Sequence, residues 1–136
     1  MTIGIRVGSI VNEIGAPSFL NAFFSTVAGL LENDDPGTRF PLVSNDLYEG
    51  HIEADKIAGA LAEIQIIRDE LMHYPPTAVI WDIEDRAKSP PWGSRIAPTI
   101  TSMGNYFVSS TGRDLFELLN ETLQHALKHQ YAVDIV

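Results

Sequence analysis

Three carboxylates fall within four residues at Asp82, Glu84 and Asp85, followed by Arg86, Lys88 and the segment Pro90-Pro91-Trp92-Gly93. Hard cations such as magnesium take clustered oxygen ligands, so the trio is of the kind a metal-dependent hydrolase or nuclease uses. A nuclease motif of that type wants a lysine two residues after an acid, whereas Asp85 and Lys88 are three apart and Glu84 and Lys88 four. The same residues suit two other roles: a solvated strand end with Arg86 or Lys88 screening the acids, or an acidic patch that faces a partner protein. Trp92, between prolines and a glycine, is either a plug under a loop or an exposed binding anchor, because tryptophan is enriched in both places.

His125 and His129 are four apart, the spacing at which two imidazoles on one helix can share a zinc ion. Between them stand Ala126, Leu127 and Lys128, so the glutamate base of the metalloprotease pattern is missing. Cations in a last helical turn also complement the negative end of the helix without any metal. The chain contains no cysteine, which removes disulfides, thiolate nucleophiles and cysteine-type zinc sites together. It has no Gly-x-Ser-x-Gly elbow and no phosphate-binding glycine loop with Lys-Ser or Lys-Thr. No catalytic residue, metal or cofactor is expected.

The elements that must position these residues follow from the hydrophobic period. Ile3, Ile5 and Val7 alternate as a strand; the phase slips after Gly8-Ser9, where a bulge or tight turn must re-aim the chain towards Ile10 and Ile14. Leu20, Phe23, Phe24, Val27, Leu30 and Leu31 recur at helical spacing, with Ser18 as the expected N-cap. Phe40-Pro41-Leu42-Val43 reads as a short edge strand. Ile57, Leu61, Ile64 and Leu71 mark a second helix over about Glu53 to His73, stopped by Pro75-Pro76. Val79, Trp81 and Ile83 then share one face of an expected buried strand, with Ile80, Asp82 and Glu84 on the other, so the strand surfaces as it ends at the acidic corner. A loop over Ile96 to Gly104 leads to an expected strand at Tyr106-Phe107-Val108. Thr111 is the expected N-cap of a third helix carrying Leu115, Phe116, Leu119 and Leu123 inward to about His129. The alternating tail Tyr131 to Val136 predicts a last strand at a sheet edge.

At 136 residues, 45% of them hydrophobic, the chain fits one domain over 1–136 with a core that needs no staples. Nine Lys and Arg against eighteen Asp and Glu give a net charge of −9. That charge disfavours nucleic acid and anionic membranes as ligands and favours a basic partner. No run approaches the roughly 18 apolar residues of a membrane span. The opening residues show no basic region followed by an apolar one. A cytoplasmic location is expected.

The run Val7-Gly8-Ser9-Ile10, then Glu13-Ile14-Gly15-Ala16-Pro17-Ser18-Phe19-Leu20 and Phe23-Phe24-Ser25-Thr26, resembles the opening of the immunity protein 70 family of bacterial polymorphic toxin systems. Val79-Ile80-Trp81-Asp82-Ile83-Glu84-Asp85, Pro90-Pro91-Trp92-Gly93, Asn105-Tyr106-Phe107-Val108 and Gly112-Arg113-Asp114-Leu115-Phe116 continue the likeness in the same order. It is weakest from Asn33 to Asp46 and in the tail. The resemblance implies a small α+β protein that binds and neutralises a cognate toxin and is not an enzyme. It supplies no residue roles, so the partner-binding residues expected here, Asp82, Glu84, Asp85 and Trp92, rest on charge and position. The expected architecture is three helices packed with a small mixed sheet of about four strands. The alternatives are a small metal-dependent hydrolase or nuclease at the acidic corner and a structural module that assembles with itself through an edge strand.

Overall fold

The computed structural model describes residues 2–93 and 95–136. Its sheet begins with a hairpin. Strands β1 (Ile3–Val7) and β2 (Ile10–Gly15) pair antiparallel through a two-residue turn, with Val7 opposite Ile10. Gly8 takes φ 59°, the left-handed conformation that such a tight connection requires at its first position and that a side chain would resist. The phase slip in the sequence is therefore the chain reversing. A register shift opposite Ile3 and Gly4 then bends the far end of β2.

The remaining strands are β3 (His51–Ile52) and β4 (Val133–Ile135), and the sheet order is β2-β1-β4-β3. Every pairing is antiparallel. The α+β class and the four strands are as expected, but the sheet is not mixed. The segment expected as a buried strand after the second helix would have supplied a parallel crossover, and it never joins the sheet. Nor does β4 sit at an edge; it lies between β1 and β3.

Among the described residues three α-helices of fifteen residues each complete the frame: α1 (Pro17–Leu31), α2 (Ile57–Leu71) and α3 (Leu115–His129). α3 packs on β1, α2 on α3, and α1 reaches both α2 and β2. Ile5, Val7 and Val133 from the sheet meet Ile64, Ile67, Phe116, Leu119 and Leu123 from the helices, all 3% exposed or less. Between α1 and α3 the core is aromatic. Phe23 stands edge-on to Phe24, Phe107 and Phe116, the T-shaped arrangement that ring quadrupoles favour by about 0.5–1.5 kcal/mol a pair.

The helix starts differ from the expected caps. α1 opens with Pro17 in its first turn, where its missing N–H costs nothing, and Ala16 precedes it rather than Ser18. α3 is capped by Asp114, whose carboxylate accepts from Phe116 N at 2.8 Å and Glu117 N at 3.3 Å; Thr111 lies too far upstream. Asp114 also bridges to Val108, and Leu115 N donates to Phe107 O at 2.9 Å. The apolar run at 106–108 is thus tied to the start of α3 and forms only an isolated bridge, not the expected strand.

The segment from 33 to 49 is set by carboxylates reaching in from neighbouring helices. Instead of an edge strand at Phe40–Val43, the chain winds into a π-helical turn at Leu42–Leu47. Glu63 of α2 accepts from Leu42 N at 3.2 Å and Val43 N at 2.9 Å, taking the backbone donors a strand would have used. Burial pushes the Glu63 carboxyl above the usual carboxylate range, although these two donors pull it down. Glu32, at the end of α1 and 2% exposed, accepts from the backbone N–H groups of Gly37, Arg39 and Phe40 at 2.8, 3.2 and 3.1 Å. The Ser44 hydroxyl donates to its other oxygen at 2.6 Å. A buried carboxylate with four donors is a satisfied ion that fixes a loop.

Candidate functional site

The segment from Val79 to Ile83 crosses α1 without joining the sheet, bending at Trp81 and entering a turn at Ile83. It pairs with helix side chains in place of a neighbouring strand. Ile80 N donates to Thr26 Oγ1 at 3.1 Å, the Thr26 hydroxyl donates to Ile80 O at 3.2 Å, and Ile83 N donates to Ser25 Oγ at 3.1 Å. Ser25 and Thr26 are buried. One turn on, Gly29 leaves room for Ile80: a Cβ there would lie 2.1 Å from Ile80 Cδ1. Ser25, Thr26 and Gly29 form a small face of α1, and this face is the seat of the corner. Sequence reading missed all three, although their grouping at one side of an apolar helix was the available signal.

Because no strand forms, the alternation that put Asp82 and Glu84 on one face does not apply. Two successive turns carry the acids. Asp82 O accepts from Asp85 N at 3.1 Å and Asp85 O from Lys88 N at 3.0 Å. The Asp82 carboxylate accepts from Glu84 N at 3.0 Å and meets Lys88 Nζ at 3.5 Å, with its side chain 20% exposed. The Asp85 carboxylate accepts from Ala87 N at 3.2 Å. These are the short-range bonds by which aspartates shape turns. Glu84 is exposed, and its carboxylate makes no hydrogen bond or ion pair among the described residues. Arg86 pairs with Asp34 at 2.5 Å, which brings the turn after α1 onto the same rim.

Asp82 and Glu84 both line a cleft of about 290 Å3 between α1, the π-helical turn and the corner. Phe24 and Ser25 of α1, Ser44 and Tyr48 form its other walls. Tyr48 is 57% exposed and stands edge-on to Phe24, ring centres 5.3 Å apart, which holds the ring in place while leaving a face open. Asp85 does not line this cleft.

Trp92 is both plug and surface. Its ring stands edge-on to buried Trp81, centres 5.4 Å apart, and its Nε1 donates to Tyr106 Oη at 2.9 Å. Tyr106 in turn packs edge-on to Phe107, so Trp92 ends an aromatic chain running from the core. Burial pushes the Tyr106 phenol above its ordinary range, against the lowering effect of the Trp92 donor. Trp92 nonetheless remains 41% exposed. It lines a second groove of about 220 Å3 with Phe19, Ile96, Ile100 and Val108. Asp82 and Glu84 on the one hand and Trp92 on the other therefore border separate hollows.

Elsewhere, the His125 and His129 rings are 4.5 Å apart, and Tyr131 stacks on His129 at 5.7 Å. Among the described residues no three His, Asp or Glu side chains converge as a metal would need. No helix among them is long and apolar enough to cross a membrane.

Asp82 and Glu84 thus form a charged rim on a partly aromatic cleft. No curated protein and no solved structure matches this sequence significantly. The family model described as Immunity protein 70 matches residues 5–135, a span that takes in most of the hairpin, the small face of α1, the acidic corner, Trp92 and the last strand. The chain belongs to the Immunity protein 70 family.

Proposed function

We propose that this protein binds and neutralises the cognate toxin of a bacterial polymorphic toxin system by stoichiometric occlusion. It acts in the cytoplasm of the producing cell as a single domain, without catalysis, metal or cofactor of its own. The observation that carries this reading is the family match over nearly the whole chain. The net charge of −9 supports a basic toxin domain as the partner, since unlike charges speed encounter and suppress wrong partners.

The surface favoured for that contact is the corner of Asp82, Glu84 and Asp85 together with Trp92. Glu84 is the acid best placed to meet a cation, being exposed and unpaired. Asp82 and Asp85 shape the turns that present it, and their remaining charge adds to its field. Trp92 and Tyr48 offer exposed aromatic area held rigid by edge-on neighbours, the form in which aromatic anchors supply short-range binding energy.

The test is co-purification with the toxin domain encoded by the adjacent gene, followed by growth of cells expressing that domain with and without this protein. A 1:1 complex and rescued growth are expected. Absence of both, with the two proteins folded, would overturn the reading.

A further inference from the structure

The sheet has two margins, and they are finished differently. β3 is two residues long and lies against the π-helical turn. β2, at the other margin, is six residues long. Its far end is engaged: Ser110 N donates to Ile14 O at 2.9 Å, and the Ser110 hydroxyl donates to the Glu13 carboxylate at 2.5 Å. From Ile10 to Asn12, among the described residues, its only backbone partner is β1.

The register gives the direction of the groups left over. Gly4 exchanges both of its backbone hydrogen bonds with Val136, on the β4 side. Antiparallel alternation turns Arg6 the same way and Ile5 and Val7 towards β2. Asn12 and Ile10, opposite them, are thus occupied with β1, and Val11 between sends its N–H and C=O outward. Ile10 and Val11 are 47% and 54% exposed. Natural sheet edges are guarded against pairing by lysine, proline or extreme shortness. β2 has none of these, and its bulge begins only beyond Asn12.

We propose that the open edge of β2 accepts an extended, basic segment of the toxin as a fifth strand, a second contact beside the acidic corner. The identity of the partner rests on the immunity reading; the form of the contact rests on the edge. Unpaired ladder groups on a sheet margin are satisfied by another extended chain, and pockets beside the ladder then select its side chains. Such a pocket is present: a groove of about 310 Å3 lies on the open face of the sheet, lined by Thr2, Gly4, Val11, Glu13 and Val136. Gly4 has no side chain to fill it, and a Cβ there would come within 2.9 Å of Val11 Cγ1. Glu13 at this groove and the net charge of −9 favour a basic strand and disfavour a second copy of the chain, which would bring −9 against −9.

The probe is the toxin domain encoded by the adjacent gene. Val11→Pro removes the one outward N–H and leaves the β1 ladder intact, whereas Val11→Thr keeps that donor. We expect Val11→Pro to weaken the complex at least tenfold and Val11→Thr to bind within about twofold of the parent. In the unmodified protein, the Val11 amide should gain exchange protection in the complex, a readout that stands even if the proline variant folds poorly. An unprotected Val11 amide in a complex still weakened by Glu84→Lys would overturn the edge contact and leave the immunity reading standing. A dimer of the protein alone that Val11→Pro dissociates would assign the edge to a second copy and overturn this occupant. Failure of the parent protein to bind the domain at all would overturn the immunity reading and this occupant together.

Discussion

Glu32 lies beneath the cleft, 2% exposed, with three backbone donors and the Ser44 hydroxyl on its oxygens. Glu84 stands exposed on the rim of the same cleft, its carboxylate with no polar partner among the described residues. One acid has given up water for a complete set of donors, and the fold is built around it. The other keeps its water and its charge, so it contributes little to folding and is available to a partner. Net charge alone counts the two alike; burial and donor count separate them.

The sharpest way to break this contrast is at Glu32. Glu32→Ala leaves three backbone N–H groups and a hydroxyl without their acceptor in a buried site, at about 1–3 kcal/mol for each donor that water cannot reach. We expect a loss of about 3–5 kcal/mol in urea unfolding, with Glu32→Gln retaining part of it. A loss under about 1 kcal/mol would mean that water replaces the carboxylate easily and that Glu32 is no more structural than Glu84.

At the rim the effect should appear in association rather than stability. Reversing Glu84 and Asp85 to lysine should leave stability within about 0.5 kcal/mol apart from the turn bond to Ala87. Association with the toxin domain should slow by about tenfold or more, and its dependence on salt should flatten, because the steering field is screened within about 8 Å at physiological ionic strength. Asp34 is no independent control, since its pairing with Arg86 puts it on the same rim. Glu117 on α3, outside both hollows, is a better one. If stopped-flow rates respond equally to Glu117→Lys and to the double reversal, the field is that of the whole molecule and the corner has no special place.

The same distinction explains what could be read from the sequence. α1, α2, α3, the hairpin and β4 are legible because their apolar positions repeat with the period of the element and face a common core. The stretch from Val79 to Ile83 has a strand's alternation, yet its backbone partners are Ser25 and Thr26 on a helix, and no pattern within the stretch itself reveals that. Phe40 to Val43 is likewise decided by Glu32 and Glu63, residues distant along the chain whose role depends on where their helices end. At the corner, the clustering and exposure of Glu84 and Asp85 were legible. That Asp82 and Asp85 double as turn formers, and that Trp92 borders a different hollow from Asp82 and Glu84, depends on a local backbone course that period-two reasoning assigns to a strand.

A third kind of acid sharpens the contrast, and its effect is the smallest. Asp134 of β4 sits on the open face of the sheet between Arg6 at 3.6 Å and the His51 ring at 2.6 Å, and the other nitrogen of His51 meets Glu53 at 3.2 Å. His51 and Asp134 are also cross-strand neighbours, so their bond closes the short β3–β4 ladder. The hydrogen bond from His51 holds the Asp134 carboxyl below its ordinary range, and the same bond to Asp134 raises the His51 imidazolium above its own. For the raised histidine, the stability gained is complete below the unfolded value of about 6.5 and is lost as pH climbs through the folded value. For the lowered aspartate, the gain is complete above about 3.9 and is lost as pH falls through its folded value. The pair therefore supports the sheet most between about pH 4 and 6.5. Melting temperatures of the parent protein and of His51→Gln, measured from pH 4.5 to 8.5, should differ most near pH 5.5 and converge towards pH 8.5. Both side chains are partly exposed, so water screens the pair and the largest difference should be only a few degrees. A difference that stays constant across the range would mean that His51 acts through packing at the end of β3, and that Asp134 belongs with the solvated acids of the rim.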